Sequence, residues 1–281
     1  MQPRTFTTHK VPSWAVHPIE RLRWVARAPE ADVGLAAVEA AEALAGFAGD
    51  PPGLVIACRR LIERRPSAGP LWWLASRVLC ALDPGAEAYA AMTDLERDPT
   101  DTLLSLELPG GTIAVVGWPE LASRALRAAE RVAVVEPGPG SGVSPGSREG
   151  RRLVRRLEDL GLEARILGPE AAARRSALVL LEAHAAGPAG FVAAAGSTAL
   201  ARAARQASVP VWLVAGVGRR LPGPLYDALT AHLHLDPGEP EVLGYDAVDE
   251  VAGPGGRTDP AAATRARADC PVAPELLHLP R

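Results

Sequence analysis

Two stretches decide the fold: Thr112-Ile-Ala-Val-Val-Gly-Trp118 and Arg131-Val-Ala-Val-Val-Glu136. Each is a short run of aliphatic residues that closes on a glycine or a carboxylate. The segment between them, Pro119 to Glu130, has the spacing of a helix. Short aliphatic runs without polar alternation are strands buried on both faces, because a strand with one wet face alternates polar and apolar residues. Toward the C-terminus the pattern repeats. A Gly/Pro/Ser loop leads to a helix from about Ser147 to Leu160, then strands at Glu163–Leu167 and Ala177–Leu181. A turn over Ala186–Gly190 precedes Phe191-Val192, a helix from Ser197 and a strand at Val209–Ala215. Strands alternating with helices predict an α/β fold whose parallel sheet is covered on both sides.

Toward the N-terminus the period changes from strand-like to helical. Val33–Leu44 and Leu54–Glu63 repeat apolar residues every three to four positions, and Pro51-Pro52-Gly53 and Pro66–Pro70 separate the helices. Leu71-Trp-Trp-Leu-Ala-Ser-Arg-Val-Leu79 starts another amphipathic helix, with Trp72 and Trp73 as core or interface packing and not a ligand platform. The expected organisation is a flexible arm over 1–18, a helical domain over 19–102 and an α/β domain over 103–281 with a C-terminal extension. That extension, from about Gly238, is expected to pack across the sheet domain or a partner subunit.

Composition excludes several classes. The chain of 281 residues has a formal net charge of −3, which leaves no basic excess for bulk nucleic-acid binding. Lys10 is the only lysine, and its place in a polar N-terminal segment argues against a Schiff-base enzyme or a P-loop nucleotidase. Cys58, Cys80 and Cys270 are too scattered for a disulfide framework or a Cys-x-x-Cys metal site. No apolar run approaches the roughly 20 residues of a membrane span, so the expected location is cytoplasmic. Gly138, Gly140 and Gly142 lack the spacing of a dinucleotide loop, and no cofactor is expected.

Ligands of open α/β sheets bind beyond the carboxyl ends of the strands. That rule selects Gly117–Glu120, the segment from Glu136, Gly168–Glu170, Glu182–His184 and Gly216–Arg220. Gly196, Ser197 and Thr198 add a helix N-terminus whose amides suit an anion, and Arg219 and Arg220 could clamp a phosphate. Glu182 and His184, two residues apart in a strand, share a face, so the carboxylate is expected to raise the imidazole pKa and prepare it for acid–base work. His232 and His234 lie near a helix end without an obvious acidic or cysteine partner, and no metal site is expected. His9, His17 and His278 are expected on the surface.

Several segments in this order resemble a known superfamily. Arg65-Pro-Ser-Ala-Gly-Pro-Leu71 is similar to its Arg-Pro-Thr-Ser-x-x-Leu helix start, and Val134-Val-Glu-Pro-Gly-Pro139 resembles its Thr-Glu-Ser-Arg-Pro segment. Phe191-Val-Ala-Ala-Ala-Gly-Ser197 resembles its Val-Val-Asn-Lys-Ile-Gly-Thr. This superfamily contains the α, β and δ subunits of eukaryotic initiation factor 2B, ribose-1,5-bisphosphate isomerase and methylthioribose-1-phosphate isomerase. The resemblance spans Ile19 to the C-terminus. It implies a helical domain on a Rossmann-like parallel-sheet domain, pairing of subunits, and a pocket for a phosphorylated sugar or nucleotide. The isomerases' cysteine falls on Gly117 and their aspartate on His184. Their Asn-Lys pair falls on Ala193 and Ala194, and an arginine on Gly138. The resemblance therefore implies a binder that does not isomerise, with a regulatory or scaffold role. Its ligand would lie near Arg65, Gly117, Glu136, Gly196, Ser197, Thr198 and Arg219, and its assembly would be a dimer or a dimer of dimers. Two other readings stay open: a sugar-phosphate isomerase rebuilt around His184 and Glu182, and a subunit-interaction module.

Overall fold

The computed structural model describes residues 33–136, 148–233, 239–266, 268 and 270–278. The N-terminal arm, Lys10, His9, His17, His234 and the glycines of 138–142 lie outside the described residues.

Among the described residues five helices come first: α1 (Val33–Ala45), α2 (Pro51–Arg64), α3 (Gly69–Cys80), α4 (Pro84–Glu96) and the short α5 (Thr100–Ser105). Their boundaries follow local chemistry. Asp50 caps α2 by accepting from the Gly53 amide at 3.1 Å, and Asp83 caps α4 by accepting from Ala86 at 3.0 Å. Prolines fill the first turns, where a missing N–H costs nothing. Helix α3 is the centre of this layer, buried from Gly69 to Ser76. Trp72 and Trp73 are core residues, as expected, and the Trp72 indole donates to the Pro66 carbonyl at 2.9 Å.

The sheet contains β1 (Thr112–Val116), β2 (Arg131–Val135), β3 (Ala164–Ile166), β4 (Leu178–Gly187), β5 (Gly190–Ala193), β6 (Val211–Val214), β7 (Glu241–Leu243), β8 (Glu250–Gly253) and β9 (Gly256–Thr258). The main order is β3-β2-β1-β4-β6-β8-β9, parallel as far as β8, with β9 antiparallel at the edge. Among the described residues five more helices follow strands: α6 (Arg148–Glu158), α7 (Pro169–Arg175), α8 (Ser197–Gln206), α9 (Gly223–Ala231) and α10 (Pro260–Arg265). The strand faces alternate. Leu178 and Leu180 of β4 join a core with Ile113, Val132 and Leu157, whereas Val179 and Leu181 join one with Leu200, Ala204 and Leu213. The expected α/β architecture with an N-terminal helical region is what the chain forms.

Three local expectations change. The segment expected as a helix over Pro119–Glu130 is a series of turns ending in a 3-10 helix, Ala125–Ala128. Side chains compete there for the backbone: Glu182 takes the amides of Leu121 and Ala122, and Ser123 donates to the Glu120 carbonyl at 3.2 Å. Strand β4 runs six residues past the expected Leu181, because its second half leaves the parallel sheet and pairs antiparallel with β5. The C-terminal segment divides. Strands β7 to β9 join the sheet, but residues 270–277 fold back on α2 and α3, where Ser76 Oγ donates to Pro271 and accepts from Ala273, at 2.6 and 2.9 Å.

The β4–β5 pairing contains a bulge that positions the site. Ala183 pairs with Ala193, but Ala185 pairs with Val192, which leaves His184 as the extra residue. Beyond it the alternation shifts: Ala186 returns to the face of Ala183, and Ala185 turns toward the core of α1–α4. Helix α3 begins against this bulge. A Cβ on Gly69 would stand 2.6 Å from the His184 carbonyl oxygen and 3.0 Å from Ala185, so only glycine permits the approach.

Candidate functional site

The strand ends that sequence reasoning selected do converge, at the carboxyl edge of the sheet beside the start of α3. Glu182 leaves β4 there with its carboxylate across two backbone amides: Ala122 N at 2.8 Å and Leu121 N at 3.2 Å. Burial pushes its pKa up to about 7, against the pull of the Arg219 guanidinium and of those amides. The adjoining Glu120 is used the same way. It accepts from the amides of Val33 (2.9 Å) and Gly34 (2.5 Å), which ties the start of α1 to the loop after β1.

Arg219 is the buried cation of this cluster. Its side chain is 2% exposed, donates from Nη1 to the Ala183 carbonyl at 2.7 Å, and holds Nη2 3.1 Å from Glu120 Oε1. His184 sits among these charges and corrects the expectation made for it. Its pKa is lowered to about 4, by burial first and then by Arg219, with Arg65 adding to the effect and Glu120 opposing it. The imidazole is therefore neutral at physiological pH; the neighbouring carboxylate at Glu182 does not raise it. Glu182 and His184 do share a face of β4, and both keep some accessible surface. Arg65, at the C-terminal end of α2, is half-buried and completes the group.

The other candidates lie along the same edge in a different arrangement. Gly117 ends β1 with φ +62 and donates its amide to Val135 at 2.8 Å, and it presents no side chain. Glu136 is 6% exposed and packs so tightly on α6 that a Cβ on Gly150 would overlap its carboxylate. The α8 N-terminus forms where expected, with Gly196 at φ +97, but an anion already occupies it. The Glu241 carboxylate from β7 accepts from Gly196 N and Thr198 N, each at 2.8 Å. Ser197 is 1% exposed and directs no group outward. The amides expected to receive a phosphate are thus held by the protein's own carboxylate.

Sequence reasoning missed Glu241 and also Asp98. Asp98 accepts from Val217 N at 2.8 Å and from Thr100 N at 3.0 Å, which ties the loop after β6 to α5. Neither carried a local signal, since Glu241 is 45 residues and Asp98 119 residues from its partner. Among the described residues no group of three or more His, Cys, Asp and Glu side chains is placed to hold a metal ion.

A helical layer docked on a mostly parallel sheet is an architecture that solved structures share. The chain is similar to a translation initiation factor eIF-2B of Pyrococcus horikoshii OT3, with TM-score 0.71 and 16% identity over 88% of this chain and 98% of that one. It is similar to a chain of the tetrameric eIF2B-beta2-delta2 complex of Chaetomium thermophilum (TM-score 0.67, 16% identity, 88% and 92% covered). It is also similar to the 5-methylthioribose 1-phosphate isomerase of Pyrococcus horikoshii OT3 (TM-score 0.59, 16% identity, 88% and 86% covered). No protein-family model matches the chain, and no curated protein does. The chain has the fold of initiation factor 2B subunits and of this isomerase.

Proposed function

We propose that this protein binds a phosphorylated sugar or nucleotide without isomerising it and acts as a regulatory or scaffold subunit of a cytoplasmic homo-oligomer. The observation that carries the reading is how the proton-moving groups at the strand ends are used. Gly117 offers no side chain, both Glu182 oxygens rest on backbone amides, and His184 is a weak base with a pKa of about 4. General acid–base catalysis contributes about 100- to 10,000-fold and needs a group that can take and return a proton near the working pH. Anion recognition falls to Arg65, with Arg219 behind it, because Glu241 already fills the α8 N-terminus. Two features support the oligomer and the location: one protein of this fold is a subunit of a tetrameric complex, and no described helix is long and apolar enough to cross a membrane.

Isothermal titration with ribose 1,5-bisphosphate, methylthioribose 1-phosphate and nucleoside monophosphates tests the binding. A saturable heat that weakens about tenfold or more in Arg65→Gln is expected, since a charge-assisted contact to phosphate is worth about 1.5–3 kcal/mol. Absence of heat across the panel defeats the ligand assignment. The isomerase reading rests on one observation, the Glu182 pKa near that of a working general base. Ketose product in the same mixtures, lost in Glu182→Gln, would establish it.

A further inference from the structure

We propose that the cleft between α3 and α4 is a second small-molecule site, for a flat aromatic ring that carries an anionic group. The cleft has a volume of about 670 Å³, in the range of small-molecule sites. Trp73 and Arg77 of α3, Glu87 and Asp94 of α4 and Arg97 just past α4 line it, and Val217 bounds it from the loop after β6. It is separate from the strand-end cluster. Arg77 lies eight residues beyond Gly69, where α3 meets His184, which is about 12 Å along a helix. None of the groups assigned to the strand-end ligand lines this cleft.

Arg77 selects the ligand. Its Nε donates to Glu87 and its Nη1 donates to Asp94 at 2.6 Å, and such donors lie in the guanidinium plane. One face of that plane stacks on Trp73, 4.5 Å from the ring centre, and the tryptophan beneath it is 1% exposed. Trp73 and Arg77 both line the cleft, so what the cleft meets is the opposite face of the guanidinium. A guanidinium face accepts an aromatic ring by stacking. This one is already held by two carboxylates, so it loses little freedom when a ring lies on it. A cationic ligand meets the same positive face, and Glu87 and Asp94 are engaged by Arg77. The charge left over is Arg97. It is exposed, and among the described residues its side chain has no hydrogen-bond or ion-pair partner. Residues three apart on a helix stand about 5–6 Å apart at Cβ, which puts Arg97 beside the Asp94 that holds Arg77. An anionic group on a ring stacked over Arg77 comes within its reach. Nucleotides and aromatic carboxylic acids share this chemistry, and a sugar phosphate without a ring does not.

Isothermal titration of the full-length protein tests the site with adenosine monophosphate and with indole-3-acetate, one from each source. At least one of the two is expected to bind, and to weaken about fivefold in Arg97→Gln and further in Ala81→Trp. Arg97→Gln removes the exposed charge and is expected to leave the melting temperature unchanged. Ala81→Trp fills the cleft from its wall and leaves the bonds of Arg77 in place. The uncharged counterpart of the compound that binds, adenosine or 3-methylindole, is expected to bind less tightly and to be indifferent to Arg97→Gln. Ribose 5-phosphate, which has no ring, is expected to respond to neither variant, so binding at Arg65 and Arg219 is told apart. The proposal is overturned if neither aromatic compound binds, if both variants bind it as the wild type does, or if ribose 5-phosphate loses affinity in them to the same degree.

Discussion

Glu182→Gln gives the most informative perturbation of the buried charge cluster. The wild-type carboxyl moves from an ordinary 4.5 to about 7 on folding, so the folded chain holds this proton more tightly than the unfolded chain does. The stability linked to Glu182 is fully present below pH 4.5 and is lost as pH rises through 7. A shift of about two and a half units corresponds to about 3 kcal/mol at 1.36 kcal/mol per unit. Solvent access to the side chain reduces this to roughly 2–3 kcal/mol. Glutamine keeps an oxygen for the Ala122 amide and cannot titrate, so the loss of one clasp is a pH-independent offset. Urea unfolding of both proteins at pH 4.5 to 8 should give a stability difference, variant minus wild type, that climbs by that amount up to pH 7 and then levels. His184 has the mirror dependence: its pKa drops from 6.5 to about 4, so its contribution is present above pH 6.5 and lost as pH falls through 4. In the wild type the two slopes oppose each other between pH 4.5 and 6.5, and Glu182→Gln uncovers the histidine's. A flat difference curve, or one that falls with pH, would mean that the amides and Arg219 outweigh burial, and would refute the account of the cluster.

Three further outcomes follow from the geometry. Gly69→Ala places a methyl 2.6 Å from the His184 carbonyl oxygen, and should destabilise the protein by about 1–3 kcal/mol in denaturant unfolding. Glu241→Ala removes the carboxylate from the α8 N-terminus and should cost about 1–2 kcal/mol, with faster hydrogen exchange at the Gly196 and Thr198 amides than elsewhere in α8. Trp72→Ala empties the centre of the helical layer and should cost about 3–5 kcal/mol by the same unfolding measurement.

The architecture was legible because its signals are local. Val-rich runs such as Thr112–Val116 and Arg131–Val135 state their own burial, and Asp50-Pro51-Pro52 states where a helix begins. The strand-end rule brought Glu182, His184 and Arg219 into one field, because in a parallel sheet that edge gathers the loops, and the family resemblance at Arg65–Leu71 added Arg65. What could not be read was the use each charge is put to. Glu182 was expected to raise the His184 pKa, but burial and Arg219 decide that value, and both depend on tertiary packing. Helical spacing over Pro119–Glu130 was overridden by a carboxylate 60 residues away at Ala122. The α8 N-terminus was correctly placed, yet its occupant comes from β7 through a pairing that no periodicity announces.

Phosphorus NMR of the protein mixed with methylthioribose 1-phosphate or ribose 1,5-bisphosphate addresses the central claim most directly, because one spectrum reports binding and conversion together. The expected result is a phosphate resonance shifted or broadened by the protein, with no ketose phosphate formed on prolonged incubation. A ketose signal that grows with time in proportion to protein concentration would contradict the account.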